Sequence, residues 1–361
     1  MKQRRIDLDA MRIIACFLVI FNHLAGYKLY SVSDSALKCW IYMFPTMITR
    51  INVPLFFMIS GTLLLTDRKE SYRSILQRRC MRIICALALF TLILYLTNIA
   101  FHQASWSLSL YLRYLLAEPV EIGGKAYWYL YSYLGFLLLL PILRRIANGM
   151  TKADFILLLS VHFFFRSLMP VVNIMLSAHG IAGINISADF TSALKFAIAK
   201  MLFYPLIGYY IDQHIDLTRA RAKQMAILCL NGLAGIIASS ACTFYEGTHG
   251  QMTFTQNYVE LFDYLTAICA FILIKYICLK HSGFSAHPRV VHAVTLVGGL
   301  TFGIYLMDPI LKKLIYESFN TALEPHMPTI LVSCLWCLAS MAIGGAAAFG
   351  LKRIPGLKKI L

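Results

Sequence analysis

Charged side chains are scarce in this chain of 361 residues: Asp, Glu, Lys and Arg make up only 14% of it, whereas 59% of the residues are hydrophobic. A soluble globular domain usually has about 25% charged and about 45–50% apolar residues. The shortage of charge therefore excludes a soluble enzyme, a disordered tail and a nucleic-acid-binding domain. Acidic residues are the scarcer kind, with 17 Asp and Glu against 33 Lys and Arg. In a chain this apolar, the net charge of +16 indicates the basic cytoplasmic loops of a membrane protein, not a nucleic-acid partner.

The sequence also lacks a signal-peptide cleavage site and a paired metal-binding motif. Its first apolar run is about 20 residues long, which is the length of a membrane span, and no small-residue cleavage site follows it. Cys334 and Cys337 have CxxC spacing, but no second CxxC accompanies them, and nearly all of the 10 cysteines lie in apolar runs. We therefore expect buried thiols that act as small hydrophobic side chains, and we expect no metal site.

Apolar runs of membrane-span length recur along the whole chain. A span needs about 20 apolar residues. Ten runs meet this length, at roughly 10–29, 43–65, 80–101, 127–147, 154–176, 193–212, 224–244, 258–279, 294–316 and 328–351. The sixth is the least regular because Lys195 and Lys200 lie inside it. Since the connections are too short for a soluble domain, the sequence predicts one all-α membrane-embedded domain over residues 1–361, a polytopic bundle of about ten transmembrane helices.

The distribution of Lys and Arg predicts the orientation of this bundle in the lipid bilayer. With the N-terminus in the cytoplasm, about two-thirds of the Lys and Arg residues fall on inner segments, and every inner segment is basic. We therefore expect a multi-pass protein of the cell membrane with both termini in the cytoplasm.

Three ionisable residues share one face of the first span. A charge near the bilayer centre costs several kcal/mol, so an ionisable residue inside a span is a functional candidate by default. Because a helix turns about 100° per residue, Asp9, Arg12 and His23 lie along one stripe, with Arg12 and His23 about 16 Å apart along the axis. A single His in a span is usually a packed core residue, but its alignment with Asp9 and Arg12 favours a functional role for His23.

Further ionisable residues lie inside other predicted spans, namely Arg50, His162, Arg166 and Asp308. The helical rise puts His23, Arg50 and Asp308 each about 5 Å to the outer side of the midpoint of their span, and Arg166 close to the midpoint of its span. We therefore predict one layer that holds a His, two Arg and an Asp from four spans. The alternative is that these residues form structural ion pairs inside the bundle.

The inner connection between the second and third spans is strongly basic, with Arg68, Lys69, Arg73, Arg78, Arg79 and Arg82. Arg79 and Arg82 are three residues apart, so they share a face at the start of the third span. Arginine binds phosphates well through its planar guanidinium, which makes this segment a candidate site for the phosphates of a nucleotide cofactor. The alternative is that the segment binds anionic lipid headgroups.

Five motifs follow one another along the chain. They are Ile6-Asp7-Leu8-Asp9-Ala10-Met11-Arg12-Ile13-Ile14-Ala15 with Asn22-His23, Val53-Pro54-Leu55-Phe56-Phe57-Met58-Ile59-Ser60-Gly61, the Arg-x-x-Arg of Arg79 and Arg82, Trp128-Tyr129-Leu130-Tyr131 running on to Pro141, and Phe302-Gly303-Ile304-Tyr305-Leu306. In this order, over Arg5 to about Pro309, the chain resembles the acyltransferase-3 family of membrane acyltransferases.

The resemblance implies a membrane enzyme that moves an acyl group, usually acetyl, from cytoplasmic acyl-CoA to a sugar hydroxyl of a cell-envelope glycan or its lipid-linked precursor. The family's His and Arg of the first span correspond to His23 and Arg12, and its Arg pair to Arg79 and Arg82. The late motif of the family often ends in His, where this sequence has Asp308. Some relatives carry a periplasmic esterase-like domain that completes the transfer. Since none follows the last predicted span, we expect the transfer to finish within the membrane domain.

The residue types suit such a transfer. Imidazole acts as a base or as an acyl carrier near neutral pH, and a polyanionic donor needs cations at the inner face. The expected ligands of the acetyl-CoA phosphates are Arg73, Arg78, Arg79 and Arg82. The expected catalytic residues are His23 at the chemical step, Arg12 along the path of the thioester arm, and Asp9 and Asp308 in support. The candidates on the substrate side are Arg50, Arg166, Tyr305 and Trp128, although a Trp at a span end is also typical of an interface anchor.

Two other functions remain open. A secondary transporter would also have ten spans, and His23, Arg166 and Asp308 would then form its substrate or proton site. A structural or partner-docking subunit of an envelope assembly would need neither His23 nor Arg82 for chemistry. Consumption of acyl-CoA distinguishes the acyltransferase from both.

Overall fold

The structure of the chain, a computed structural model, describes residues 5–24, 35–67, 70–116, 127–249, 260–280 and 287–361. Within these ranges the chain is helical and contains no strand, which confirms the predicted all-α class. The helices in chain order are α1 (Ile6–Asn22), α2 (Ala36–Thr49), α3 (Asn52–Leu64), α4 (Tyr72–Ala100), α5 (Leu108–Leu115), α6 (Trp128–Gly149), α7 (Lys152–Ala178), α8 (Ala188–Ala193), α9 (Lys195–Ile198), α10 (Lys200–His214), α11 (Ala222–His249), α12 (Asp263–Lys280), α13 (Pro288–Leu323), α14 (Thr329–Leu351) and α15 (Pro355–Lys358).

Seven helical segments in the described part of the chain are long and apolar enough to cross a membrane. They are Ala36–Leu64, which joins α2 and α3, then α4, α6, α7, Ala222–Tyr245 within α11, α13 and α14. The first, sixth and eighth predicted spans overlap in part with α1, α10 and α12, which have 17, 15 and 18 residues. These helices lie near or below the lower limit of about 17 residues for a span. A polytopic helix bundle is confirmed, while the count of ten spans and the orientation of the termini stay predictions.

The second predicted span is interrupted between α2 and α3. Pro54 lies in the first turn of α3, where it cannot donate a hydrogen bond to the carbonyl of Arg50, so the regular helix stops there. Asn52 begins α3: its side-chain oxygen accepts from the backbone N–H of Val53 at 2.5 Å, and its Nδ2 donates to Leu18 O in α1 at 3.5 Å. The interruption places Arg50 at the C-terminal cap of α2.

Three of the long helices contain a π-helical turn. These turns are Ile75–Cys80 in α4, Phe164–Leu168 in α7 and Lys312–Tyr316 in α13. Short π-helical turns inside α-helices occur often at functional sites, because they displace side chains from the regular helical positions. The turn in α4 carries Arg78 and Arg79, and the turn in α7 carries Arg166.

The chain divides into two compact units, Met1–Asp67 with Leu143–Val294 and Arg68–Ile142 with Thr295–Leu361. In the first unit α3 packs along α10, α1 packs against α3 and α12, and α11 packs against α2 and α12. In the second unit α5 packs against α4, and the last part of α13 packs against α14. The prediction of a single domain over residues 1–361 stays a prediction.

Glycines bring α3 and α10 into backbone contact. A Cβ atom at Gly61 would lie 1.9 Å from the carbonyl oxygen of Pro205, and one at Gly208 would lie 2.3 Å from that of Met58. Thr62 adds a hydrogen bond from its Oγ1 to Gly208 O at 3.1 Å. Small residues at such a crossing are typical of membrane helix pairs, because van der Waals contact between backbones is the main attraction there. This pair of helices forms the centre of the first unit.

Candidate active site

The acidic and basic residues of α1 form a bonded pair. Arg12 Nη1 donates to Asp9 Oδ1 at 2.5 Å, one turn apart on the same face of the helix. Asp9 is completely buried, whereas the side chain of Arg12 is 28% exposed. A carboxylate buried in an apolar helix is costly unless a cation is bonded to it. The predicted alignment of Asp9 with Arg12 is therefore present as a direct contact.

His23 ends the same helix. It is the C-terminal cap of α1, and its backbone N–H donates to Val19 O at 3.0 Å and to Ile20 O at 3.1 Å. Its side chain is half-buried. The helical rise separates His23 from Arg12 by about 16 Å along the axis, as the sequence predicts. Residues 25–34, which follow it, lie outside the described ranges.

Three cations of the first unit surround the Glu260 carboxylate, and a second acid, Asp263, bonds one of them. We name these five residues the Glu260 cluster: Arg50, Arg166, Lys200, Glu260 and Asp263. The carboxylate of Glu260 lies 2.7 Å from Lys200 Nζ, 3.4 Å from Arg166 Nη2 and 3.9 Å from Arg50 Nη1. Lys200 also bonds Asp263 Oδ2 at 2.8 Å. Two predicted substrate-side residues, Arg50 and Arg166, are thus brought together by a residue that the sequence analysis did not single out.

The buried wall beside this cluster contains an oriented histidine. His162 Nδ1 lies 2.9 Å from Ala197 O, and because a carbonyl only accepts, Nδ1 carries the proton. The ring stacks on Phe203, with the centroids 3.6 Å apart and the planes 8° from parallel. Tyr204, which follows Phe203 in α10, donates from its hydroxyl to Asp263 Oδ1 at 2.9 Å. Stacking on Phe203 therefore orients His162, and a hydrogen bond from Tyr204 orients Asp263, the acid that holds Lys200.

The predicted phosphate-binding arginines lie at the start of α4, in the second unit. Arg73 and Arg78 are exposed. Arg79 donates to Glu70 through Nε and Nη2. Arg82 donates to main-chain oxygens of Ile360 and Leu361, at 2.9 and 2.6 Å, and lies over the ring of Phe302. The two arginines of the Arg-x-x-Arg motif are therefore both bonded to acceptors of the chain itself.

Three predicted residues lie elsewhere in the second unit. Asp308 is buried in α13 and accepts from Ser340 Oγ of α14 at 3.1 Å. Tyr305, one turn earlier, is also buried, and its ring meets those of Tyr127 and Tyr129 edge-on at 6.1 Å. Trp128 is 48% exposed, which suits an interface anchor.

The comparison with protein families identifies the chain. A family model described as an acyltransferase domain, that of acyltransferase-3, matches residues 5–348, nearly the whole chain. The chain belongs to the acyltransferase-3 family. Neither the curated proteins nor the solved structures gave a match. With its apolar helices, the chain is therefore a multi-pass membrane acyltransferase, and the resemblance seen in its motifs is confirmed.

The two units divide the predicted site residues of this acyltransferase. His23, Asp9, Arg12, Arg50 and Arg166 belong to the first unit. The residues in the second unit are Asp308, Tyr305, Trp128, Arg73, Arg78, Arg79 and Arg82. The predicted layer of His23, Arg50, Arg166 and Asp308 therefore stays a prediction. In the part of the chain that the structure describes, no group of three or more His, Cys, Asp and Glu side chains is placed to hold a metal ion.

The sequence analysis did not predict a second polar network of the acyltransferase, which Arg5, Asp7, Asp212 and Lys275 form. Arg5 and Lys275 both bond Asp212 at the end of α10, and Arg5 also bonds Asp7, which raises the pKa of the Arg5 guanidinium. The four residues border a cavity of about 540 Å³ that His214 also lines. The network joins the first turn of α1 to α10 and α12. The sequence showed only that α1, α10 and α12 each carry charged residues. Which of these residues bond one another depends on how the helices pack, and the sequence does not reveal that.

Proposed function

We propose that this membrane acyltransferase moves an acyl group, acetyl in the first place, from cytoplasmic acyl-CoA to a hydroxyl of a cell-envelope glycan or of its lipid-linked precursor. In this proposal the protein lies in the cell membrane with both termini in the cytoplasm. The main supporting observation is the pair that the buried Asp9 forms with the partly exposed Arg12 on α1, the helix that ends at His23, in a chain of the acyltransferase-3 family. A charged pair in an apolar helix is retained at a cost, which favours a role in function.

His23 acts as the base in the simplest form of this reaction. Its imidazole takes the proton of the acceptor hydroxyl while that oxygen attacks the carbonyl carbon of the thioester. The C–S bond then breaks, the electron pair leaves with the sulfur of coenzyme A, and His23 returns the proton to this thiolate. In the relay form, the imidazole nitrogen itself attacks the thioester carbon, the C–S bond breaks, and the coenzyme A thiolate leaves and takes the proton lost by the ring. The acceptor hydroxyl then attacks the acyl-imidazole, the C–N bond breaks, and the hydroxyl proton goes to the ring. Arg12, held by Asp9, lines the path of the thioester arm.

The basic start of α4 supports the choice of acyl-CoA as donor. Coenzyme A carries several phosphate charges, and Arg73 and Arg78 are exposed where such a donor would be met on the predicted cytoplasmic side. Arg79 and Arg82 would exchange their internal acceptors for phosphate oxygens. Arginine suits this exchange because its planar fork bonds phosphate and carboxylate oxygens with the same geometry.

Labelled acetyl-CoA tests the proposal directly. We would purify the wild type and the variants His23→Ala and Arg82→Ala, and measure both binding of the donor and transfer of label to a lipid and glycan extract of the native host. We expect His23→Ala to bind the donor but to lose about 10²-fold or more in transfer. We expect Arg82→Ala to lose both, since its guanidinium holds the phosphates. The matched controls are the exposed residues His179 and Arg145, each replaced by Ala.

The outcomes separate this proposal from its alternatives. Wild-type transfer by His23→Ala would remove the proposed role of His23. A wild type that neither binds nor consumes acetyl-CoA or a longer acyl-CoA would contradict the donor assignment and favour the secondary transporter, which flux assays would then test. Equal loss in His179→Ala and His23→Ala would mean that the loss reflects folding and not chemistry.

A further inference from the structure

Arg166 has few hydrogen bonds in the Glu260 cluster. Its Nη2 reaches Glu260 Oε2 at 3.4 Å, which is a long bond, and its Nε is buried without an acceptor among the residues that the structure describes. A guanidinium has five N–H donors in a planar fork. Since a buried donor without an acceptor destabilises the protein, an oxygen atom supplied at this place would be bound favourably.

The carboxylate that Arg166 contacts is held less firmly than the second acid of the cluster. Glu260 is 34% exposed, whereas Asp263 is 1% exposed and is bonded to both Lys200 and Tyr204. Glu260 lies in the turn that precedes α12, and not within the helix. Its side chain can therefore leave the cluster without unwinding α12, while Asp263 keeps Lys200 in place.

We propose that the Glu260 cluster binds an anionic oxygen group of the acceptor, a carboxylate or a phosphate, which takes the place of the Glu260 carboxylate. Arg166 binds this group through Nε and Nη2, the geometry that suits planar recognition of an oxyanion, and the Lys200 ammonium adds a second cation. The inference rests on the proposed function, because it names the chemical class of the acceptor. The competing explanation is a set of structural ion pairs, which binds no ligand.

The predicted orientation favours an acceptor over the donor as the source of this group. Arg50 is predicted about 5 Å to the outer side of the midpoint of its span, and Arg166 close to the midpoint. A cell-envelope acceptor approaches from the outer side, whereas acyl-CoA is cytoplasmic. The anionic group is then either the carboxylate of an acidic sugar or the phosphate of a lipid-linked sugar, and the same side chains suit both.

Two matched pairs of probes test the inference and distinguish the two sources. The protein, in a nonionic detergent at constant ionic strength, is titrated with a polyprenyl phosphate against the corresponding polyprenol, and with methyl glucuronide against methyl glucoside. The measured quantity is the midpoint of thermal unfolding, which rises when a ligand binds the folded state. We expect the charged member of one pair to raise the midpoint and the neutral member to leave it unchanged. The pair that responds identifies the source.

Variants of the cluster make the test specific. We expect Arg166→Gln to weaken binding of the charged probe about tenfold or more, and Arg166→Lys to restore part of it. Arg145→Gln, at an exposed arginine of the same unit, should bind as the wild type does. Glu260→Gln should lower the midpoint without ligand and yet bind the charged probe several-fold more tightly, since it removes the competing carboxylate. Weaker binding by Glu260→Gln, wild-type binding by Arg166→Gln, or no response to either charged probe would overturn the inference.

Transfer of label separates this inference from the proposed function. If the wild type acetylates charged and neutral acceptors equally well, and Arg166→Gln does so too, acyl transfer stands and the anion site is wrong. If no label moves from any acyl-CoA while the charged probe still binds through Arg166, the anion site stands and acyl transfer is wrong. Selective acetylation of the charged acceptor, if it is lost in Arg166→Gln and partly restored in Arg166→Lys, supports both acyl transfer and the anion site.

Discussion

Glu70 holds Arg79 through two hydrogen bonds, from Nε to Oε1 at 3.0 Å and from Nη2 to Oε2 at 3.3 Å. This is the parallel, two-bond geometry that a guanidinium also forms with a phosphate group. Arg79 is the first arginine of the Arg-x-x-Arg motif, and both side chains remain partly exposed. The acid therefore occupies the donors that the proposed acyl-CoA site needs.

Removing the charge of Glu70 should strengthen binding of the donor. In Glu70→Gln the amide competes less well than a carboxylate for the Arg79 guanidinium, so we expect KM for acetyl-CoA to fall several-fold with little change in kcat. Steady-state transfer at varied acetyl-CoA checks this. Glu317→Gln, at an exposed acid of α13, is the matched control and should leave KM unchanged. A higher KM in Glu70→Gln would instead show that Glu70 orients Arg79 for the phosphates.

Variants of the Asp9–Arg12 pair distinguish its effect on stability from its effect on acyl transfer. Asp9→Asn removes the charged acceptor of Arg12, and we expect the free energy of unfolding to fall by about 2 kcal/mol, less than for a fully buried pair because Arg12 is partly exposed. Transfer should fall as well. Unfolding in detergent and transfer of label are the two measurements.

The double variant Asp9→Asn with Arg12→Gln is the informative control for this pair. It leaves neither charge without its partner, so it should recover most of the lost stability. If the pair is structural only, the double variant also recovers transfer. We expect transfer to stay low, because the proposed reaction needs the Arg12 guanidinium along the path of the thioester arm.

The Arg5–Asp212–Lys275 network should stabilise the first unit. Lys275 is 8% exposed and bonds Asp212, so Asp212→Asn leaves a nearly buried ammonium without its acid. We expect the free energy of unfolding to fall by about 3 kcal/mol. Asp216→Asn is the matched control, because Asp216 is exposed and bonds Thr218 and Arg219 of its own turn, and it should not change the unfolding midpoint. An Asp212→Asn protein as stable as the wild type would show that the network contributes nothing.

The local features of the sequence predicted much of the fold and part of the site. Composition and apolar runs predicted an all-helical membrane protein, and helical periodicity predicted the contact of Asp9 with Arg12. The Glu260 cluster could not be predicted from the sequence, because it joins residues as far apart along the chain as Arg50 and Glu260. Contacts between distant residues depend on how the helices pack, and the periodicity of one helix gives no information about its neighbours. The break in the second span was missed as well: the sequence has one continuous apolar run there, whereas in the structure the helix is interrupted before Pro54.

The close crossing of α3 and α10 gives the sharpest test of the packing. In Gly61→Ala the new methyl group would lie 1.9 Å from Pro205 O and 2.6 Å from Pro205 Cα, and backbone atoms of a helix cannot move aside as a side chain can. We expect the free energy of unfolding to fall by about 3 kcal/mol, at the upper end for an overpacked site. Thermal unfolding of the purified protein in detergent measures this.

Gly350→Ala is the matched control for the crossing. It lies in α14 with nothing within 4 Å of the position of its Cβ, so the methyl group meets open space. Because alanine favours a helix over glycine by up to about 1 kcal/mol, this variant should be as stable as the wild type or slightly more so. Gly208→Ala, on the opposite helix and 2.3 Å from Met58 O, should behave as Gly61→Ala does. If both crossing variants unfolded at the wild-type midpoint, α3 and α10 would have to be farther apart than backbone contact.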